Sequence, residues 1–152
     1  MQNYGVNPSC GIAQMLAERY PKVAEYYVPR IREVIANTRR LLDAFRQLER
    51  EVVFTRHGPM LPDGRDMILR RQQRDDLARE QTDRPTLWSK GSKEHQVVSE
   101  LAATDRELVI DKNASSAFNG TGIDQLLRNL NLETLVVTGM ATDMCVETTA
   151  RD

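Results

Sequence analysis

The sequence predicts an α/β domain with a parallel sheet, and three observations carry that reading. Short runs rich in β-branched residues recur at Glu51–Thr55, Glu107–Asp111 and Thr134–Thr138. Amphipathic helical stretches separate them, long enough for the crossovers that parallel strands require. The last run leads through Gly139 into a helical pattern that starts at about Asp143, which places Cys145 in the first turn of a helix. A chain of 152 residues is the size of one domain, and we read 1–152 as a single unit.

Bulk composition narrows the function classes. Net charge is −1, with 28% charged and 40% apolar residues, so no basic surplus speaks for nucleic acid. No apolar run approaches membrane-spanning length and no signal-peptide pattern opens the chain, so a cytoplasmic location is expected. Cys10 and Cys145 are far apart and lack CxxC spacing, which suggests neither a disulfide framework nor a zinc site.

In chain order, Met1–Gly5 runs straight into the turn signal Asn7-Pro8. Cys10–Tyr20 reads as one short helix, closed by Pro21. After Pro29 comes the strongest helical pattern, with Ile31, Val34, Ile35, Thr38, Leu41, Leu42, Phe45 and Leu48 on one face and arginines on the other. Glu51–Thr55 is the next strand, and His57 follows it, where ligands bind in open parallel sheets. Either a substrate-facing His57 or a loop histidine bonded to backbone fits that position.

Leu61–Pro85 is polar and mixed in charge, with a turn at Pro62-Asp63-Gly64 and a helical pattern over Met67–Glu80 that reads as exposed. Trp88 follows, either a pocket wall or a packing residue. Glu94–Leu101 reads as a short helix, and Glu107–Asp111 as a strand with Lys112 at its C-terminal end. Thr121-Gly122-Ile123-Asp124 has the form of a capping box opening a helix over 121–130. Strand, helix and the strand Thr134–Thr138 make a βαβ unit that delivers Lys112 and Cys145 to one edge of the sheet.

A thiol in the first turn of a helix sits among unpaired backbone N–H groups and their partial positive charge. That setting favours the thiolate, which is the nucleophile, and the same N–H groups can hold an oxyanion. Leu135–Asp152, LVVTGMATDMCVETTARD, resembles the nucleophile segment of the isochorismatase-like cysteine hydrolases. Lys112 followed by Ser116-Ala117-Phe118-Asn119-Gly120-Thr121 is similar to that family's K…S-x-F-x-x-T segment.

The resemblance implies a three-layer α/β/α Rossmann-like sheet and hydrolysis of a C–N bond in a small amide or ureido substrate. It implies Cys145 as nucleophile, Lys112 as second catalytic residue, and a cis peptide between Met140 and Ala141. The N–H groups of Ala141 and Cys145 would form the oxyanion hole, with His57 and Phe118 as pocket residues. The siderophore-pathway members cleave a vinyl ether and lack the cysteine, so Cys145 directs the expectation to amide chemistry. Metal-dependent relatives carry a D-x-H…H cluster, whereas this chain has Thr55-Arg56-His57 and only His95 besides. No metal and no cofactor are therefore expected, and a homo-oligomer is.

In the resembled family the first strand ends in D-M-Q, whose Asp is the general base. Met1-Gln2-Asn3 matches the residues after that Asp, so the first strand and the Asp are expected before Met1, and a last strand after Asp152. Two readings follow: an amidohydrolase, or a non-catalytic fragment acting at most as a binding module. A dinucleotide-binding domain is set aside, because Gly139-Met140-Ala141 lacks the G-x-G-x-x-G pattern.

Overall fold

A computed structural model describes all residues, Met1–Asp152. The chain begins with α1 (Asn3–Val6) and α2 (Gly11–Arg19), then the long α3 (Pro21–Gln47). Strand β1 (Val53–His57), α4 (Leu69–Thr82), strand β2 (Leu108–Lys112) and α5 (Ile123–Asn129) follow. A π-helical turn at Thr142–Val146 leads into α6 (Glu147–Arg151).

The two strands pair in parallel, with Val53 opposite Leu108 and His57 opposite Lys112. This register puts the imidazole and the ammonium side by side at the C-terminal edge. Both strands start and end later than the sequence reading had them, so His57 is the last strand residue rather than a loop residue. Across the ladder Arg56 faces Asp111, and the two form a two-pronged ion pair at 2.7 and 3.0 Å. Lys90 adds a contact to Asp111 at 3.1 Å. A charged cross-strand pair that is mostly covered holds register as firmly as an apolar one.

Two small cores flank the strands. Ala117, Ile123 and Leu127 pack with Val53, Ile110, Phe118 and Leu132, which seats α5 on the sheet. Val6, Ile31 and Val98 pack with Met1, Tyr27, Ile35 and Met140, which joins α3 to the N-terminal segment and to the turn before Cys145.

Several elements differ from the sequence reading. Helix α3 starts at Pro21, not after Pro29. Proline suits the first helical position because the N–H it lacks has no partner there, and the helix then runs through Pro29. On α3 Ile31 and Leu42 are buried, while Val34 and Leu41, and Leu48 just past its end, are exposed, so the covered face is narrower than the apolar stripe. The helix expected over Glu94–Leu101 is only a 3₁₀ turn at Ser99–Leu101. Its backbone is engaged elsewhere: Asn3 and Tyr4 donate N–H to the carbonyls of Gln96 and Glu94, and Val98 donates to Met1.

The capping box expected at Thr121 does not form, because the helix opens one residue later, with Gly122 as its N-cap and no capping side chain there. The Thr121 hydroxyl accepts the Ile123 N–H at 3.2 Å, while Asp124 turns to Arg128. The largest departure is Thr134–Thr138. The segment carries no strand pairing, and Leu135, Val136 and Val137 are 46, 59 and 37% exposed. The expected buried strand is therefore an unpaired extended segment, and the βαβ unit lacks its second ladder. A cavity of about 1860 Å³ is lined by both Val52–Thr55 and Thr134–Gly139, with Leu41 and Phe45 of α3 and the adjoining Leu48 contributing.

Candidate active site

Lys112 ends β2 with its side chain 3% exposed. An ammonium has three protons to donate. Here they go to the Ala114 carbonyl at 2.8 Å, the Ser115 carbonyl at 2.6 Å and the Cys145 sulfur at 3.4 Å. The chain turns back on itself just after the strand, so two carbonyls of the following loop collar the Nζ. With every donor used, the buried charge is compensated and its direction fixed.

Cys145 arrives from the other side of the sequence and is half-buried. The Met140–Ala141 peptide is cis, and the Ala141 carbonyl accepts N–H groups from Met144 and Val146. The Ala141 N–H has no acceptor. Four residues past the cysteine, the Thr149 hydroxyl accepts the Ala117 N–H at 3.0 Å, tying the helical turn to the loop after Lys112. Met140 packs against Val6, Ile31 and Val98. The sulfur is thus located from two sides although Thr134–Thr138 has no ladder.

His57 lies beside Lys112 across the ladder. Its backbone N–H donates to Gln2 Oε1 at 2.7 Å, and its carbonyl accepts from Gln2 Nε2 at 3.0 Å. The buried Gln2 amide therefore takes the place of a neighbouring strand on the free edge of β1. Burial, with Lys112, Arg71 and His95 adding repulsion, lowers the His57 imidazole to about 4. The ring is neutral near pH 7, able to hydrogen-bond but not to carry charge. Phe118 lines the large cavity and also packs on the Ala117 core.

The sequence reading passed over Gln2, Tyr4 and Arg71. Tyr4 stacks on Trp88 with ring centroids 5.0 Å apart and planes 12° from parallel. Burial first, then the neighbouring Cys145, pushes its phenol up to about 12, against an opposing pull from Arg71. Gly11, at φ +63°, lets the α2 start lie on the Tyr4 backbone, where any Cβ would collide. The signal for Gln2 was its place within the matched Met1-Gln2-Asn3 segment, and for Tyr4 its place directly after it. Asp75 was read as part of an exposed run, yet it is buried and accepts the Leu87 N–H at 2.8 Å. That contact carries the Trp88 segment on α4.

No three His, Cys, Asp or Glu side chains converge to hold a metal ion. The carboxylates at this end of the sheet are engaged elsewhere. Asp66 accepts the Met60 N–H at 2.7 Å, and Asp111 is held by Arg56 and Lys90. The arrangement offers a nucleophilic sulfur beside a fixed ammonium, with a free N–H close by in sequence and a cavity in front.

Comparison with known proteins follows the same lines. A cysteine hydrolase from Pseudomonas syringae pv. phaseolicola superposes with a TM-score of 0.65 at 27% identity, over 78% of this chain and 52% of that one. N-carbamoylsarcosine amidase from Thermoplasma acidophilum gives a TM-score of 0.59 at 27% identity, over 78% of this chain and 60% of the other. Ureidoacrylate amidohydrolase RutB of Enterobacter sp. (strain 638) is 42% identical over 67 residues, which is 44% of this chain and 29% of that protein. The chain thus spans less than two thirds of the length of these relatives. The family model described as Isochorismatase domain matches residues 11–152, nearly the whole sequence, and the chain belongs to that family.

Proposed function

We propose that residues 1–152, read as one domain, carry the nucleophile of a cysteine hydrolase that cleaves a C–N bond in a small amide or ureido compound. The observation that carries this reading is the Lys112 ammonium, with all three protons placed and one of them on the Cys145 sulfur. Two similar proteins are named as an amidohydrolase and an amidase, which supports the same bond type.

The Cys145 thiolate attacks the carbonyl carbon, forming a C–S bond as the carbonyl electrons move to oxygen. The N–H groups of Ala141 and Cys145 stabilise that oxyanion, with Lys112 placing positive charge beside it. The intermediate collapses, the C–N bond breaks, and the nitrogen leaves with a proton. Water then cleaves the thioester, releasing the acid and restoring the sulfur. The thiol proton needs an acceptor. Asp66 and Asp111 are engaged elsewhere, so the proton passes to solvent as the Lys112 ammonium holds the sulfur in its anionic form.

His57 and Phe118 serve as pocket residues, and the ligand is a small molecule rather than nucleic acid. A reducing cytoplasm suits the thiolate, and a homo-oligomer fits the exposed apolar surface of Leu135–Val137. A panel of amides and ureido acids, with intact-mass detection of the adduct, tests the reaction. A thioester on Cys145, absent from Cys145→Ala, is expected. No adduct and no ammonia or amine release from any member of the panel would count against it. One observation favours a second reading, a binding module without turnover: no carboxylate of the chain bonds to Cys145 or Lys112. Binding of the same compounds without adduct would select it.

A further inference from the structure

Of all the arginines in the chain, only Arg46, Arg56 and Arg71 are not exposed. Two of these have a carboxylate. Arg46 is paired with Glu107 at 2.7 Å, and Arg56 with Asp111 at 2.7 Å. The third does not: the Arg71 side chain, in the first turn of α4, forms neither a hydrogen bond nor an ion pair. A partly buried guanidinium without an anion keeps its five N–H donors open to whatever enters the cavity.

Its position gives the omission meaning. Arg71, His57 and Ser115 are the residues shared between the large cavity, which holds Lys112 and Cys145, and an adjoining cavity of about 570 Å³. Ser115 is also one of the two carbonyl groups that collar Lys112. The Arg71 charge reaches both the Tyr4 phenol and the His57 ring. The groups around it are thus a neutral phenol, a neutral imidazole and a second cation, Lys112. The nearby carboxylates Asp66 and Asp111 are spent on Met60 and Leu61 and on Arg56 and Lys90.

We infer that Arg71 binds a carboxylate of the substrate, so that the compound cleaved at Cys145 carries an acid group as well as its amide or ureido group. The guanidinium fork donates two parallel hydrogen bonds to a carboxylate, which orients the molecule as well as holding it. This rests on the hydrolase reading above and names its substrate class. Arg71 is then a binding residue that sorts acids from neutral amides.

The test uses the 152-residue chain and two thiol reagents of similar size, 2-carboxyethyl and propyl methanethiosulfonate. Each forms a mixed disulfide with the thiolate and releases methanesulfinate, and peptide mass spectrometry reads Cys145 separately from Cys10. Wild type is expected to favour the anionic reagent at Cys145. In Arg71→Gln that preference should fall by about tenfold, with Arg71→Lys between the two. The neutral reagent reports that the site keeps its shape. A measurement without any variant accompanies it: propionate is expected to protect Cys145 from the neutral reagent, and propionamide is not. An unchanged preference in Arg71→Gln together with equal effects of propionate and propionamide would overturn the anchor and leave the reactive thiol standing. A Cys145 no faster than Cys10 with either reagent would overturn the hydrolase reading, and the anchor with it.

Discussion

Two five-residue segments of this chain invite comparison, Val53–His57 and Thr134–Thr138. Judged by composition the second, Thr-Leu-Val-Val-Thr, is the better strand, and the first, Val-Phe-Thr-Arg-His, carries two charged or titratable residues. Only the first is paired. It lies beside β2 in register, with its Arg56 on Asp111, and its free edge at His57 is closed by the Gln2 amide. The second is exposed along its length and lines a cavity shared with β1. Strand propensity describes how a residue fits a pleated surface, and a strand exists only where a neighbour supplies the ladder. The site uses one residue from each regime. Lys112 belongs to the paired ladder, while Cys145 follows the unpaired segment and is held by Thr149 and Met140 instead.

Hydrogen exchange should show the contrast most strongly. Amides in the β1–β2 ladder are expected to be protected by about a thousandfold or more over those of Thr134–Thr138, which should exchange near the rate of an unstructured peptide. Equal protection would mean that the second segment finds a ladder in solution. Asp111→Ala attacks the paired side. It leaves Arg56, 17% exposed, without its anion, and a loss of about 3–5 kcal/mol in urea unfolding is expected.

Acid should weaken the same region through His57. Its folded value of about 4 lies below the ordinary 6.5, so the unfolded chain takes up the proton first. The stability this group contributes is complete above pH 6.5 and is lost as pH falls from there towards 4, by on the order of 3 kcal/mol. Urea midpoints of wild type and His57→Gln across that window would check it, since the variant should lose that part of the slope. The smallest effect should come from Val136→Thr in the unpaired segment. With Val136 59% exposed, thermal unfolding is expected to register no more than about 0.5 kcal/mol.

Much of the fold was legible in the sequence because it is written in local patterns. The spacing of Ile31, Ile35 and Leu42 gives α3, and the β-branched runs before His57 and Lys112 give the two strands. What local pattern does not carry was misread. Glu94–Leu101 has helical spacing, yet Met1–Tyr4 captures its backbone, a contact between residues about ninety positions apart. Asp75 and Arg71 sit in a charged run that looks solvated, and only the fold shows that one is buried under Leu87 and the other faces a cavity. Motif spacing pointed to Lys112 and Cys145. Gln2 was matched only as part of the segment after the first strand and Tyr4 carries no motif, and their places at His57 and Trp88 follow from tertiary packing.

The central claim is that a strand-borne ammonium and a cysteine in the helical turn after an unpaired segment act as one reacting pair. The most direct test is the rate of iodoacetamide alkylation at Cys145, followed by peptide mass spectrometry beside the buried Cys10 in wild type and Lys112→Ala. The account expects Cys145 to react much faster than Cys10, and Lys112→Ala to slow it by about tenfold or more. A Cys145 rate unchanged by Lys112→Ala would contradict it, because the 3.4 Å contact would then be a packing neighbour without chemical effect.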